Sequence, residues 1–191
     1  AETGSGQIVI KEGTYKGTDY LITKDLEIVG EGNVVIDGEG QGRLFYMNYG
    51  ADVAKFSLSN VVLTGANHGY GAAVYSFAKE TVLDNVTISE SYANGWSGSA
   101  LIVSKGMLMI VDSNISNNGP ISALIYNNGG RLIIANTVFE NNIVNTSTSC
   151  NGAIESTGNA IVIIQDSNFT NIGAVRGAVY SGASDSGSLT I

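Results

Sequence analysis

One cysteine, one proline, one histidine and one tryptophan stand among 191 residues, and each scarcity removes a class of explanation. A lone Cys150, in the turn NTSTSCNG, excludes an intrachain disulfide and a cysteine-cluster metal site, and a cysteine nucleophile would also need a base. His68, in the loop NHGYG, has no second histidine with which to bind a transition metal, and no Gly-x-Ser-x-Gly elbow accompanies it. No catalytic residue, metal ligand or cofactor is therefore assigned. Basic residues are scarce too, with nine Lys and Arg against 17 Asp and Glu, a net charge of −8. They are scattered, so the basic footprint of a nucleic-acid binder is missing. No apolar run reaches the ~18 residues of a membrane span, and no membrane insertion is expected in this segment.

What the chain has in quantity is glycine, 25 residues, with Val, Ile, Thr and Tyr set between Asn, Ser and Gly clusters. That composition favours short strands joined by turns and almost no helix. Residues 1–6 read as a linker or junction, and residues 7–191 as a single domain. The end at Ser188-Leu-Thr-Ile191 resembles the middle of a strand, so a piece of a longer protein is expected. Near the start, strand candidates Ile8–Ile10, Tyr20–Ile22, Leu26–Val29 and Val34–Ile36 are separated by turn-type residues.

From Leu44 onward two anchors recur. An Ala before an aliphatic residue stands at Ala73, Ala100, Ala123, Ala153 and Ala178, and an Asn or Asp stands three residues before a large apolar one at Asn60, Asn85, Asp112, Asn136 and Asp166. Both drift with the same period, about 23–30 residues, which is the signature of stacked repeats. The Leu-x-x-Leu-x-Leu spacing of a leucine-rich repeat is absent, and a propeller blade needs a longer period. The fold expected is all-β, a right-handed parallel β-helix solenoid with rungs about 4.8 Å apart.

Alternation then assigns faces. Val74, Leu101, Leu124, Ile154 and Val179 are expected to form one inward row, beside a small column of Ala72, Ser99, Ser122, Gly152 and Gly177. Leu58, Leu83, Ile110, Ile134 and Ile164 form a second inward row, and Leu63, Ile88, Ile115, Phe139 and Phe169 a third. The Asn/Asp column, with a second set at Asn117, Asn141 and Asn171, reads as turn ladders at left-handed bends, since amide and acid exchange freely there.

The elements NGAIES and RGAVYS, alternating with VFENN and NFTN, resemble repeats of surface adhesins, among them the chlamydial polymorphic membrane proteins. The opening EGTYKGTDYLITKDLEIVGEGNVVIDGEG is similar to the adhesin-like proteins of methanogenic archaea. The resemblance implies a non-enzymatic, extracellular cell-surface segment that attaches to a surface protein or glycan of another cell, with the remainder of its own longer chain beside it. The columns imply only the rod.

Two places are candidates for contact. Alternation sends the Ala column and Tyr75, Ile102, Ile125 and Tyr180 to the outer face, an apolar stripe of the kind that marks an interface. The loops are the other, with Tyr92 and Trp96 in SYANGWS, and the long turn at residues 141–151. Of four N-x-[ST] sequons, at Asn85, Asn114, Asn145 and Asn168, only Asn145 lies in a long turn and is a glycosylation candidate.

Alternatives with a different chemistry stay open. A polysaccharide-active β-helix enzyme, a polyuronate lyase, epimerase or esterase, would place two or more carboxylates and a base in one cleft. Asp37 with Glu39, and Gln165-Asp166 with Arg176, are the nearest sets. A plain spacer in a larger surface protein is the third reading.

Overall fold

The computed structural model describes residues 6–48, 50, 52–93, 100–120, 123–144, 152–173, 177–183 and 187–191. Its strands are β1 (Gly6–Lys16), β2 (Tyr20–Leu21), β3 (Leu26–Asp37), β4 (Phe45–Tyr46), β5 (Lys55–Thr64) and β6 (Val74–Ser76). There follow β7 (Glu80–Ser89), β8 (Ala100–Ser104), β9 (Met107–Val111), β10 (Asn114–Ser116), β11 (Ala123–Asn128) and β12 (Arg131–Ala135). The last are β13 (Val138–Glu140), β14 (Ile154–Gly158), β15 (Ile161–Gln165), β16 (Asn168–Thr170), β17 (Val179–Ala183) and β18 (Ser188–Thr190). No helix is present among the described residues.

Every pairing between these strands is parallel. One sheet runs β1-β3-β5-β7-β9-β12-β15-β18, with β10, β13 and β16 stacked beside its later strands. The other runs β2-β4-β6-β8-β11-β14-β17. Successive strands of a sheet are one repeat apart, so the chain winds as a parallel β-solenoid whose core lies between the sheets. The two early candidates Leu26–Val29 and Val34–Ile36 are one strand, β3, whose pairing slips between them.

Two of the three inward rows stand as expected. Leu58, Leu83, Ile110, Ile134 and Ile164 are in register and at most 3% exposed. Leu63, Ile88, Ile115, Phe139 and Phe169 are also in register, and Phe139 stacks on Phe169 at 4.5 Å between centroids and an interplanar angle of 1°. Burying each such side chain is worth roughly 1.5–3 kcal/mol.

The row in the second sheet needs correction. Val74 pairs with Ile102, Ile102 with Ile125, Ile125 with Ile154 and Ile154 with Val179. Leu101 and Leu124 are buried as well, one residue earlier, so each of these rungs sends two consecutive side chains into the core. The N–H groups of Leu124 and Ile125 both donate to the Ala153 carbonyl, at 2.7 and 3.1 Å. That is a bulge: one extra residue breaks the two-residue alternation and shifts everything after it by one place.

The turns carry their own ladders. Asn60, Asn85, Asp112, Asn136 and Asp166 all have φ between 48° and 57°, as do Asn117, Asn141 and Asn171. Asn and Asp tolerate this left-handed conformation because their short side chains bond locally. Side chains also bond between rungs: Asn85 Nδ2 donates to Asn60 Oδ1 at 2.9 Å, Asn136 Nδ2 to Asp112 Oδ1 at 3.1 Å, and Asn171 Nδ2 to Asn141 Oδ1 at 2.9 Å. At the turn before β12, Gly130 lies so close to the rung below that a Cβ there would sit 2.0 Å from the Gly106 carbonyl.

Candidate functional site

The bulge decides what the second sheet shows to solvent. The register runs Tyr46, Tyr75, Val103, Tyr126, Glu155, Tyr180 along one outer row. Ile102 and Ile125, expected in that row, are instead 0% exposed inside. The Ala lane is corrected too: Ala73, Ala123 and Ala153 are fully covered, Ala73 and Ala153 within the main core and Ala123 beneath Val103, Tyr75 and Tyr126. Tyr75 and Tyr180 are on the outer row as expected, each half-buried. Tyr46, Val103 and Tyr126 are members that sequence reading missed, the last two because ALIVS and ALIYN are apolar at both parities.

Rings continue to the side. Phe77 lies 5.2 Å from Tyr75, and Lys105 Nζ sits 5.5 Å from the Phe77 centroid. At the N-terminal end of the row the Arg43 guanidinium lies 4.5 Å from the Tyr75 centroid and 5.5 Å from that of Tyr46. Arg43 Nε donates to the Tyr70 carbonyl at 3.0 Å, and an Arg43 terminal nitrogen is 3.0 Å from His68 Nδ1. Burial pulls the guanidinium below its ordinary pKa, while Tyr75, Asp19 and Tyr46 pull the other way. His68 Nδ1 also accepts the Tyr70 N–H at 3.1 Å, so the lone histidine organises the NHGYG loop around Arg43.

Of the loop candidates, Tyr92 is 42% exposed and its backbone is bridged to Asn67 on the rung below. Trp96 and Asn145, with Cys150 and Arg176, lie outside the described residues.

The first sheet has an outer row of its own, which the sequence did not single out. Ser57, Val82, Met109, Ile133 and Ile163 are in register and half-buried, so this face grows more apolar toward the C-terminal end. The signal was there in MLMIV, RLIIA and IVIIQ, whose every second residue is apolar on both faces.

The acidic residues suggested for an enzyme make contacts within the rod or stand at its turns. Asp37 Oδ1 accepts the Glu39 N–H at 2.8 Å, and Glu39 pairs with Lys16 at 2.7 Å. Asp166 is a left-handed turn residue. A surface notch of about 300 Å³ does gather Asp25, Glu27 and Lys55. There Asp25 caps the N–H groups of Ala54 and Lys55, Lys55 pairs with Glu80 at 2.7 Å, and Glu27 accepts from Gln7. No group of three or more His, Cys, Asp or Glu side chains suited to a metal ion occurs among the described residues. At the N-terminal end of the core an apolar hollow of about 250 Å³ is lined by Ile8, Ile10, Tyr15, Tyr20, Ile28 and their neighbours.

Comparison of the chain with protein families, with curated proteins and with solved structures found no match.

Proposed function

We propose that this chain is a non-enzymatic segment of a cell-surface adhesin, an extracellular rod that displays side chains laterally to a protein or glycan of another cell. The observation that carries the reading is the half-buried outer row Tyr46, Tyr75, Tyr126 and Tyr180, flanked by Phe77. A solvated sheet face normally alternates polar residues outward, whereas aromatic residues with a polar tip are what contact surfaces enrich. The adhesin-like motifs NGAIES and VFENN support the same reading. Capture of the chain by candidate cell surfaces, repeated with Tyr75→Ala and Trp96→Ala, tests it: capture that neither change weakens counts against an adhesive face at these residues.

One observation favours a second reading, a polyuronate-active enzyme: the notch that holds Asp25, Glu27 and Lys55. It predicts polyuronate breakdown that Lys55→Ala abolishes, assayed with and without calcium. All three side chains already have partners within the rod, which is why it ranks second.

A further inference from the structure

We infer that His68 is a pH-sensitive latch on Arg43: when its Nδ1 takes up a proton, the Arg43 guanidinium is released from the Tyr75 ring that it covers. The geometry at one nitrogen carries this. His68 Nδ1 lies 3.0 Å from an Arg43 terminal nitrogen, 3.1 Å from the Tyr70 amide nitrogen and 3.0 Å from the Tyr70 carbonyl oxygen. The first two are donors that keep their protons, since a guanidinium stays charged and a backbone N–H only donates. Nδ1 serves both as an acceptor, which assigns the neutral ring with its proton on Nε2. Histidine is the side chain that changes charge between about pH 8 and 5, and His68 is exposed to the solvent that supplies the proton.

Protonation reverses the role of that nitrogen. A proton on Nδ1 confronts the two donors and is accepted by the Tyr70 carbonyl, where Arg43 Nε also donates at 3.0 Å. Arg43 then loses its imidazole acceptor, shares its carbonyl with a second donor and faces another positive charge 3.0 Å away. Burial already opposes its charge, while Tyr75, Asp19 and Tyr46 favour it. Asp19 acts from the turn before β2, where its N–H donates to the Arg43 carbonyl, and offers a carboxylate that the released guanidinium can approach. The next rung brings Tyr92, whose carbonyl accepts the His68 N–H at 3.3 Å. Asn67 ties the loop to the carbonyls of Gly42 at 2.8 Å and Gly40 at 3.0 Å, and Tyr70 has further contacts of its own. The change is therefore confined to two side chains while the loop backbone stays in place. Arg43 lies 4.5 Å from the Tyr75 centroid, so acid uncovers that ring. The latch goes beyond the adhesive reading and holds whether or not the tyrosine row is adhesive.

The test is a nuclear magnetic resonance titration of the whole chain from about pH 8 to about pH 5. At the upper end the Arg43 side-chain protons are expected to carry the upfield shift of a group held over an aromatic ring, with cross-peaks to Tyr75. Both are lost as pH falls, at the midpoint of the His68 ring protons, while circular dichroism stays unchanged. His68→Asn places an acceptor near the position of Nδ1 that takes up no proton in this range, so Arg43 stays on the ring throughout. Asp19→Asn leaves the transition in place, which separates His68 from the nearby carboxylate.

An upfield shift that survives protonation of His68, or a His68 ring that does not titrate in this range, overturns the inference. So does a transition that persists in His68→Asn, one that vanishes in Asp19→Asn, or a loss of the β signal over the same range. The wild-type titration decides by itself if the asparagine variant of His68 does not fold.

Discussion

The side-chain oxygen of Asn142 accepts two hydrogen bonds from Asn118, one from its backbone N–H at 3.1 Å and one from its amide at 3.0 Å. Asn118 repeats the pattern one rung below, where its own side-chain oxygen accepts the Ser91 N–H at 3.0 Å and its amide donates to the Ile88 carbonyl at 2.9 Å. Both asparagines are at most 2% exposed, so this is a polar ladder inside the solenoid that satisfies backbone groups at a bend. Asn118→Leu removes the acceptor of the buried Ser91 N–H and the amide donor to the Ile88 carbonyl. A loss of about 3 kcal/mol in denaturant unfolding is expected.

The neighbouring Asn117 behaves differently because it is exposed and its φ is 57°. Asn117→Gly should leave stability within about 0.5 kcal/mol of wild type, whereas Asn117→Val should cost about 1–2 kcal/mol through left-handed strain. Unfolding midpoints of the pair separate conformation from contact.

The bulge predicts opposite outcomes for adjacent rows. Ile102→Ala removes a fully buried side chain and should cost about 3 kcal/mol, while Tyr75→Ala, on the half-buried outer row, should cost about 1 kcal/mol. Were Ile102 on the outer face, the two would fall together in a urea series.

Stacked phenylalanines give a graded pair. Phe139 is 0% exposed and sits between Ile115 and Phe169, whereas Phe169 is half-buried near the C-terminal end. Phe139→Ala should cost about 4 kcal/mol and Phe169→Ala about 2 kcal/mol, read by chemical denaturation.

Lys16 donates to Glu39 at 2.7 Å, and that hydrogen bond, followed by the attraction between the charges, raises its pKa above the ordinary 10.5. A base raised in the folded state contributes its stability fully below 10.5 and loses it as pH rises through the folded value. Both side chains are exposed, so the effect is small. Wild type and Lys16→Met should differ slightly at neutral pH, converge in strong alkali, and differ less in high salt.

Legibility in the sequence followed the phase of each pattern. Between β5 and its successors, polar residues bracket the apolar ones, as in SLSNVVLT and VLDNVTIS, so inward and outward positions are distinguishable by eye. The left-handed turns were legible for the same reason, because asparagine and aspartate mark them chemically. ALIV and ALIY carry no polar marker, so they fit either parity. Asn118 and Asn142 hid behind their exposed neighbours, since an asparagine beside an asparagine does not say which one turns inward.

The sequence by itself determined that the chain is a stack of short strands with aspartate and asparagine at its bends, because those choices are local and repeat. Only the tertiary structure decided which residues face out on the second sheet. There the phase is set by hydrogen bonds to the rungs above and below, and one inserted residue on each of two rungs moved Ile102 and Ile125 inside and aligned Tyr126 with Tyr75 and Tyr180.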